Sequence, residues 1–435
     1  MKKLPVVAVA DHAEEAARLA GLGVEASVAL AEVVGALKDG LLAFATATGL
    51  VVMAQMMEAE LTERIGPKHA KIPGRRANWH GSTIGSVVLG GRKVAVRRPR
   101  GRTSEGKEIE LDTWAVFSAE DLLRRLVVER MLAGVATRRH EAVAEPVGTE
   151  LEKAARATSK SAVSRRFVKA TEKALVELCA RDLSGLEVAV VMIDGIELAG
   201  QCCVVGLVIT ADGTKVPVRL WLGSTENATV VTNLLADLQA RGLSTTKGVL
   251  VVIDGSKALA AGVRRVFGED ALVERCTLHK RRNVSDHLPK DLQKTIDRRL
   301  AAAFAHPEWS TGLERAKTLA QELKADHPDA AASLREGLED MFTVRRLGIT
   351  GTLARTLMTT NAVESMISIA RTTARNVKRW RDGEMKKRWV AAGMLEAERS
   401  FRRVNGHRDL PKLLAALQAS RQTTAPPPQY ADAAA

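Results

Sequence analysis

The apolar positions of this chain change their period several times, and the changes divide it. Over residues 13–63, Ala, Leu and Val recur at helical spacing with breaks near 21–23 and 39–40, which predicts two or three helices. Residues 82–97 alternate instead, predicting a short β-hairpin that turns at Gly90-Gly91 and is followed by the stiff tripeptide Arg98-Pro99-Arg100. Helical spacing returns over 119–183. From 186 to 279 short β-branched runs take over, with strands predicted at 187–193, 201–210, 216–222, 248–253 and 271–277 and helices at 229–241 and 257–267. Three consecutive strands joined by short Gly-containing turns make an antiparallel meander. The strand-helix-strand steps that follow add parallel neighbours, so an α/β fold with a mixed, helix-covered sheet is expected. Residues 281–358 are Ala-rich and helical in spacing, broken at Pro289, Pro307 and Pro328, and a long helix capped by Thr359, Thr360 or Asn361 then carries Glu364. From 422 onward, Pro426 to Pro428 and terminal alanines read as a disordered tail.

Composition narrows the class. With 435 residues, 46% apolar and 27% charged, the chain has ordinary globular composition and length for two to four domains, which excludes a fibrous or wholly disordered protein. The formal charge of +14 makes a polyanion the first partner to expect, because phosphate neutralisation releases counterions. Residues 41–57 are the only candidate membrane span. They include Thr46, Thr48 and Gln55 and fall short of the ~20 apolar residues a bilayer needs, so a buried or oligomer-forming helix is expected. No signal peptide is read at the N-terminus, and four cysteines, two of them the adjacent Cys202 and Cys203, form no disulfide framework; a cytoplasmic protein without membrane association is expected.

The positive charge is concentrated. Between Arg64 and Lys107 twelve basic residues, among them Arg75, Arg76, Arg97, Arg98 and Arg100, face the single acid Glu105, the pattern of a phosphate-tracking surface. Over 157–167, Ser159 can cap a helix whose first turns offer Lys160, Ser164, Arg165 and Arg166 to DNA in a helix-turn-helix arrangement, although the same residues begin many ordinary helices. After Glu364, Arg371, Arg375 and Lys378 fall on one helical face, with Arg379 next to them and Lys386, Lys387 and Arg388 extending the track.

The candidate chemistry lies in three acids. Asp194 closes the run Val-Ala-Val-Val-Met-Ile, Asp254 closes Val-Leu-Val-Val-Ile, and Glu364 sits in Thr-Thr-Asn-Ala-Val-Glu. Buried strands that end in Asp-Gly deliver carboxylates to a sheet rim, and hard divalent cations take oxygen ligands from several elements. Taken singly, each acid is equally a cap or turn residue. Cys276-x-x-His279 invites a zinc reading, but a structural site needs four ligands and His287 and His306 are loose candidates, so no zinc is expected.

The motifs Ile193-Asp194-Gly195, Ile253-Asp254-Gly255-Ser256-Lys257, the run from Glu274 to Val284 and Thr359-Thr360-Asn361-Ala362-Val363-Glu364-Ser365 stand in the order found in mutator-type bacterial insertion-sequence transposases, a branch of the DDE recombinases. The chain resembles that family from about Arg64 to Val404. The resemblance implies an RNase H-like mixed sheet with helices on both faces, interrupted by an all-helical insertion, plus N-terminal helical and basic DNA-binding regions. It implies two Mg²⁺ or Mn²⁺ ions on Asp194, Asp254 and Glu364, cleavage and strand transfer at the terminal inverted repeats of a mobile element, double-stranded repeat and target DNA as partners, and no small-molecule cofactor. It also marks Trp309 in the insertion as a base-stacking candidate or a plain core Trp, His279 as a DNA contact, a brace for the carboxylates or a structural residue, and Glu226 as a family position. A homodimer is expected because two DNA ends must meet. The expected divisions are 1–63 helical, 64–118 basic and β-containing, 119–185 helical with the helix-turn-helix candidate, 186–280 first part of the core, 281–358 insertion, 359–421 closing core helices and 422–435 tail. Rival readings are a catalytically silent DNA-binding descendant and another RNase H-like nuclease.

Overall fold

A computed structural model describes residues 40–424 except 90–91, 119–120, 141, 146–151, 154–158, 224–226 and 269–270. Expectations for residues 1–39, Glu226, the hairpin turn, the segment ahead of Ser159 and the tail beyond Thr424 lie outside the described residues. The chain divides into two compact units, Met1–Ala170 and Thr171–Ala435.

In the first unit, helix α1 (Leu41–Ile65) buries Met53, Met57, Leu61 and Ile65, spaced by four, against Ala77, Val87 and Leu111. It runs a further two turns past the predicted apolar stretch and stops at Gly66, whose φ of 81° ends the helix. Strands β1 (Ala77–Leu89) and β2 (Arg92–Thr103) form a hairpin longer than its alternation predicts. Arg98-Pro99-Arg100 is strand, not a stiff exit: every strand of a two-stranded sheet is an edge, so the amide that Pro99 lacks costs little, and its partner Ser82 lies at the register shift that follows Trp79. Helices α2 (Asp112–Phe117), α3 (Asp121–Leu132) and α4 (Lys160–Ala180) follow, and α4 crosses into the second unit. No described helix is long and apolar enough to cross a membrane.

The second unit is built on a five-stranded mixed sheet. Strands β3 (Val188–Leu198), β4 (Gln201–Thr210) and β5 (Lys215–Gly223) pair antiparallel as the meander predicts, and β6 (Val249–Ile253) and β7 (Ala271–Arg275) add in parallel beside β3, giving the order β5-β4-β3-β6-β7. Both strands of the central pair are almost wholly apolar, as burial on two faces requires. Alternation sends Val191 and Ile193 of β3 towards α5 (Ala228–Ala240) and α6 (Lys257–Phe267), while Val190, Met192 and Ile196 join the core that holds the remaining helices.

Between β7 and the Glu364 helix lie α7 (Thr277–Asp286), α8 (Lys290–Phe304), α9 (Trp309–Glu322), α10 (Pro328–Arg335), a 3₁₀ turn (Glu339–Phe342), α11 (Thr343–Arg346) and α12 (Gly351–Leu357). The prolines act as read: Pro289 precedes α8 and Pro328 opens α10, where a missing amide is harmless. Phe342 is the largest fully buried side chain, its ring 5.6 Å from that of Phe304. The chain closes with α13 (Asn361–Thr373), α14 (Gly383–Ser400) and α15 (Leu410–Thr424), the last continuing through 422–424 where a tail was expected.

The long helix after Glu364 is two helices. Thr373 Oγ1 turns back to the carbonyl of Ala370 (2.9 Å), and Asp382 caps a new helix by accepting from Met385 N (2.7 Å). Arg375, Lys378 and Arg379 therefore lie on the connection and share no helical face with Arg371. Lys386 and Arg388 are buried, Lys386 donating to Ala199 O and Gln201 Oε1, so they do not extend a surface track.

Glu274, fully buried in β7, accepts from Val344 N at 2.8 Å through Oε2, while Oε1 has no partner among the described residues. Burial pushes its carboxyl well above the usual 4.5, against the Val344 amide and with Asp340 adding to the rise. An acid that holds its proton more tightly when folded costs stability as pH climbs above its unfolded value, by up to about 1.4 kcal/mol per unit, until the folded pKa is passed. Glu274→Gln keeps the acceptor and loses the charge. Urea unfolding at pH 5 and pH 8 is expected to show the variant gaining on wild type at the higher pH; identical pH dependence would contradict the burial account.

Candidate active site

Two neighbouring parallel strands set the first pair of acids. The β3–β6 pairing ends at Ile193 opposite Ile253, and each strand's next residue is an aspartate, so Asp194 and Asp254 occupy the same level of adjacent strands. Asp254 follows the end of β6. Asp194 does not close β3 as its apolar run suggests: β4 continues past β6 and pairs Asp194 with Val205, which carries β3 on to Leu198. Along β3 Asp194 has the parity of Met192 and Ile196, which directs it to the sheet face that α13 covers. Helix α13 buries Val363, Met366, Ile367 and Ala370 and presents Glu364 in its first turn.

A second contact brings α7 to the same place. Thr277 donates to the carbonyl of Met358 through both N and Oγ1 (3.0 Å each), tying the start of α7 to the residues ahead of α13. His279 Nδ1 then lies 3.8 Å from Glu364 Oε1 and 3.3 Å from Thr360 Oγ1, and the Thr360 hydroxyl donates to Glu364 Oε1 at 2.5 Å. Ligand atoms of Cys276, His279 and Glu364 lie within 4.8 Å of one another. Among the described residues this cluster has three members, with neither His287 nor His306 among them.

The charges of Asp254, Glu364 and His279 are felt at the Asp194 carboxyl. Burial raises the Asp194 carboxyl to about 6; the Gly195 amide (2.8 Å) opposes this, Asp254 and Glu364 add to it and His279 offsets it. The hydrogen bond with Cys276 raises His279 to about 9 against burial, assisted by the charges of Cys276, Glu364 and Asp254. Burial works to raise the Cys276 thiol, but the hydrogen bonds of His279 and Thr360 leave it below its ordinary value. The cluster of ligand atoms within 4.8 Å joins Glu364 to Cys276 and His279, and Asp194 and Asp254 stand outside it; carboxylates of this kind are the oxygen donors that hard divalent cations take.

The loop after Asp254 is held from two directions. Asp254 Oδ1 accepts from Ser256 N at 2.8 Å, and Ser256 caps α6 by accepting from Leu259 N. Arg275, 4% exposed, reaches Gly255 O (3.4 Å) and pairs with Glu336 (2.8 Å) and Asp340 (3.2 Å). Gly337 is required beside it: φ is 62°, and a Cβ there would stand 2.4 Å from the guanidinium carbon.

The basic residues fare differently. Arg75 spends its guanidinium on the carbonyls of Ile65, Gly66, Pro67 and Ala70, which makes it a brace for the turn after α1. Arg98 and Arg100, two apart on one strand face, both bind Glu108, an acid just beyond the basic block. Arg76 and Arg97 are exposed, as are Lys160, Ser164 and Arg165 on α4, whose amide at Ala162 bonds Ser159 as a cap; Arg166 is half-buried. Trp309 begins α9 and packs on the helical core. Arg371, on α13, and Arg375, Lys378 and Arg379 beyond it are exposed.

Sequence reading missed Thr360 and Arg275 as site residues. For Thr360 the signal was available, since a hydroxyl four positions before an acid at a helix start can bond it; for Arg275 none was, because its partners lie about sixty residues away.

The family model described as Transposase, Mutator family, matches residues 24–403, and the chain belongs to that family. Among curated proteins it is 30% identical over 254 residues to the transposase for insertion sequence element ISRM5 of Rhizobium meliloti (strain 1021), covering 55% of this chain and 59% of that protein. It is 27% identical over 170 residues to the transposase for insertion sequence element IST2 of Acidithiobacillus ferrooxidans, covering 39% of this chain and 56% of that one. A probable insertion-sequence transposase of Corynebacterium diphtheriae is 25% identical over 213 residues, 48% of this chain and 61% of its own length. The matched stretches thus span about six tenths of these relatives.

Proposed function

We propose that this protein is a DDE transposase that binds the terminal inverted repeats of an insertion sequence, cuts DNA strands and joins them to target DNA, with Asp194, Asp254 and Glu364 as its catalytic carboxylates. The observation that carries the reading is the placement of Asp194 and Asp254 at one level of adjacent parallel strands, with Glu364 in the first turn of α13, whose buried residues join the core on the Asp194 face of the sheet. The strand order, an antiparallel meander extended by two parallel strands, supports an RNase H-like core. The helices between β7 and α13 support an inserted helical domain, since the chain runs from Arg275 to Asn361, 361 − 275 = 86 positions, without adding a strand.

Two Mg²⁺ or Mn²⁺ ions bound there would polarise the scissile phosphate and raise the acidity of the attacking water or 3′-hydroxyl. The chain's own residues set the geometry. Asp254 is oriented by the Ser256 amide, Asp194 by the Gly195 amide, and Glu364 by the Thr360 hydroxyl, which in turn faces His279. When protonated, His279 offers positive charge and a donor to Glu364 or to a nearby phosphate oxygen. Exposed Arg76, Arg97, Lys160, Arg165, Arg371, Arg375, Lys378 and Arg379 are the remaining candidates for phosphate contact.

The test is incubation of the protein with labelled terminal-repeat duplex in Mg²⁺ or in EDTA. Metal-dependent strand cleavage and joining is expected; none in either condition would sink the enzyme reading. Because Thr360 acts on the site through Glu364, Thr360→Val is expected to weaken Mn²⁺ binding by about tenfold or more while Thr360→Ser retains it. Equal affinity of both variants in a paramagnetic titration would remove Thr360 from the site.

We also propose a homodimer through α1, where Leu41, Val52 and Met56 lie along one exposed stripe at 77%, 46% and 47% exposure. Val52→Asp is expected to shift the mass found by light scattering from dimer to monomer, and a monomeric wild type would refute it.

A further inference from the structure

The flank of α13 next to Glu364 holds a cleft that none of the predicted site residues explains. Its volume is about 710 Å³, and Lys215, Arg355, Arg402 and Arg403 line it without a single carboxylate in the lining. Among the described residues, Arg403 alone of the four has an acid within 4 Å, Asp212 at 3.5 Å. Arg355 bonds the Thr352 hydroxyl, and Arg402 is exposed. The Lys215 amine stands 4.5 Å over the Phe401 ring, partly buried with no ion pair among the described residues, and burial lowers its pKa.

The cleft is preformed. Val404 N donates to Gly213 O (2.9 Å), which pins the 401–405 loop to the β4–β5 turn, and Thr356 Oγ1 donates to Asn405 O (3.0 Å), which pins it to α12. Cations held in place without acids repel one another, and they are tolerated best where an anion is to be received. The space is several times larger than one phosphate group, and cations enter it from β5, α12 and the loop, which suits an extended polyanion rather than a single ion.

Its position relative to the acids is fixed by helix geometry. Asn361, Ala362, Ser365 and Ile369 form the α13 stripe that lines the cleft, while Glu364 lies on the adjoining stripe towards the sheet. An α-helix with its side chains is ~10–12 Å across, so a strand with one phosphate at Glu364 reaches the cleft within about three nucleotides at ~3.4 Å each.

We propose that this cleft binds the DNA backbone that continues beyond the reacting phosphate, gripping the flank outside the terminal repeat. The proposal rests on the transposase reading and adds a site to it. The test compares two terminal-repeat duplexes by fluorescence anisotropy, one ending at the cleavage position and one extended by ten base pairs of flank. The probes are wild type, Arg355→Gln/Arg402→Gln, Arg355→Lys/Arg402→Lys, and Arg265→Gln/Arg298→Gln, which removes two exposed charges elsewhere.

Wild type is expected to bind the extended duplex more tightly, and the Gln cleft variant to lose about tenfold of that gain with a salt slope shallower by about two. The Lys variant should keep most of it. Circular dichroism guards against misfolding, and these arginines are exposed, so folding should survive. The proposal is overturned if the Gln cleft variant keeps the full gain, or if the distant pair loses as much. If wild type binds neither duplex better than random DNA and cuts neither in Mg²⁺, the transposase reading falls with it; cutting by wild type with no flank gain overturns the cleft alone.

Discussion

Asp254→Ala is expected to bind terminal-repeat DNA as wild type does and to cut it about a thousandfold more slowly or worse. A ligand that helps hold a cation worth several kcal/mol of transition-state stabilisation cannot be lost for less, since ~1.4 kcal/mol is a factor of ten. Asp254 stands immediately after β6, and its Oδ1 is engaged by Ser256 N, which leaves the other oxygen to face the site. Asp254→Asn retains an acceptor for the Ser256 amide, so it separates chemistry from folding: it should melt at the wild-type temperature and still be inactive. A gel assay of strand cleavage beside a melting curve reads both. Wild-type rates in either variant would remove Asp254 from the chemistry.

The second large effect concerns stability. Arg275→Ala is expected to cost about 3–5 kcal/mol, because removing one partner of a buried charge cluster leaves the others uncompensated. Arg275 is 4% exposed and holds the carboxylates of Glu336 and Asp340 and the carbonyl of Gly255. Lys280 also reaches Glu336, by its backbone carbonyl (2.6 Å) and its side chain (3.2 Å), but it sits at a different angle and cannot supply the planar fork. Arg275 and Lys280 together hold Glu336 below its ordinary pKa despite burial, and removing Arg275 takes away the larger share of that support. Urea unfolding should register the loss, and at roughly 2–4 °C per kcal/mol the melting temperature should drop by about 10 °C. A change within about 1 kcal/mol would show that the cluster does not brace the Asp254 loop.

Strand patterning made much of the core legible. The apolar runs ending at Ile193 and Ile253 located β3 and β6, and the reading of 257–267 as a helix matches α6 residue for residue because Ser256 caps it and Gly268 ends it. What failed shares one cause, the dependence of an element's end on its neighbours. β3 passes through Asp194 because β4 is there to pair with it, a fact absent from the β3 sequence. The helix of Glu364 breaks after Thr373, although the cations beyond it keep helical spacing, because Thr373 turns its hydroxyl back on the helix and Asp382 starts the next one. Charge density cannot show partners, and the fold adds them to the basic block: Arg98 and Arg100 pair with Glu108, and Arg75 with backbone carbonyls. Conversely, the cations of the cleft beside α13 are scattered over nearly two hundred positions, and only the fold collects them.

The central claim is that Asp194, Asp254 and Glu364 form one cation site. Fe²⁺ can replace Mg²⁺ at such oxygen sites, and with ascorbate and peroxide it cuts the polypeptide next to where it binds. The account predicts fragments ending near residues 194, 254 and 364, suppressed by excess Mg²⁺ and absent in Asp254→Asn. Cuts confined to the neighbourhood of Cys276 and His279, or an unchanged pattern in Asp254→Asn, would contradict it.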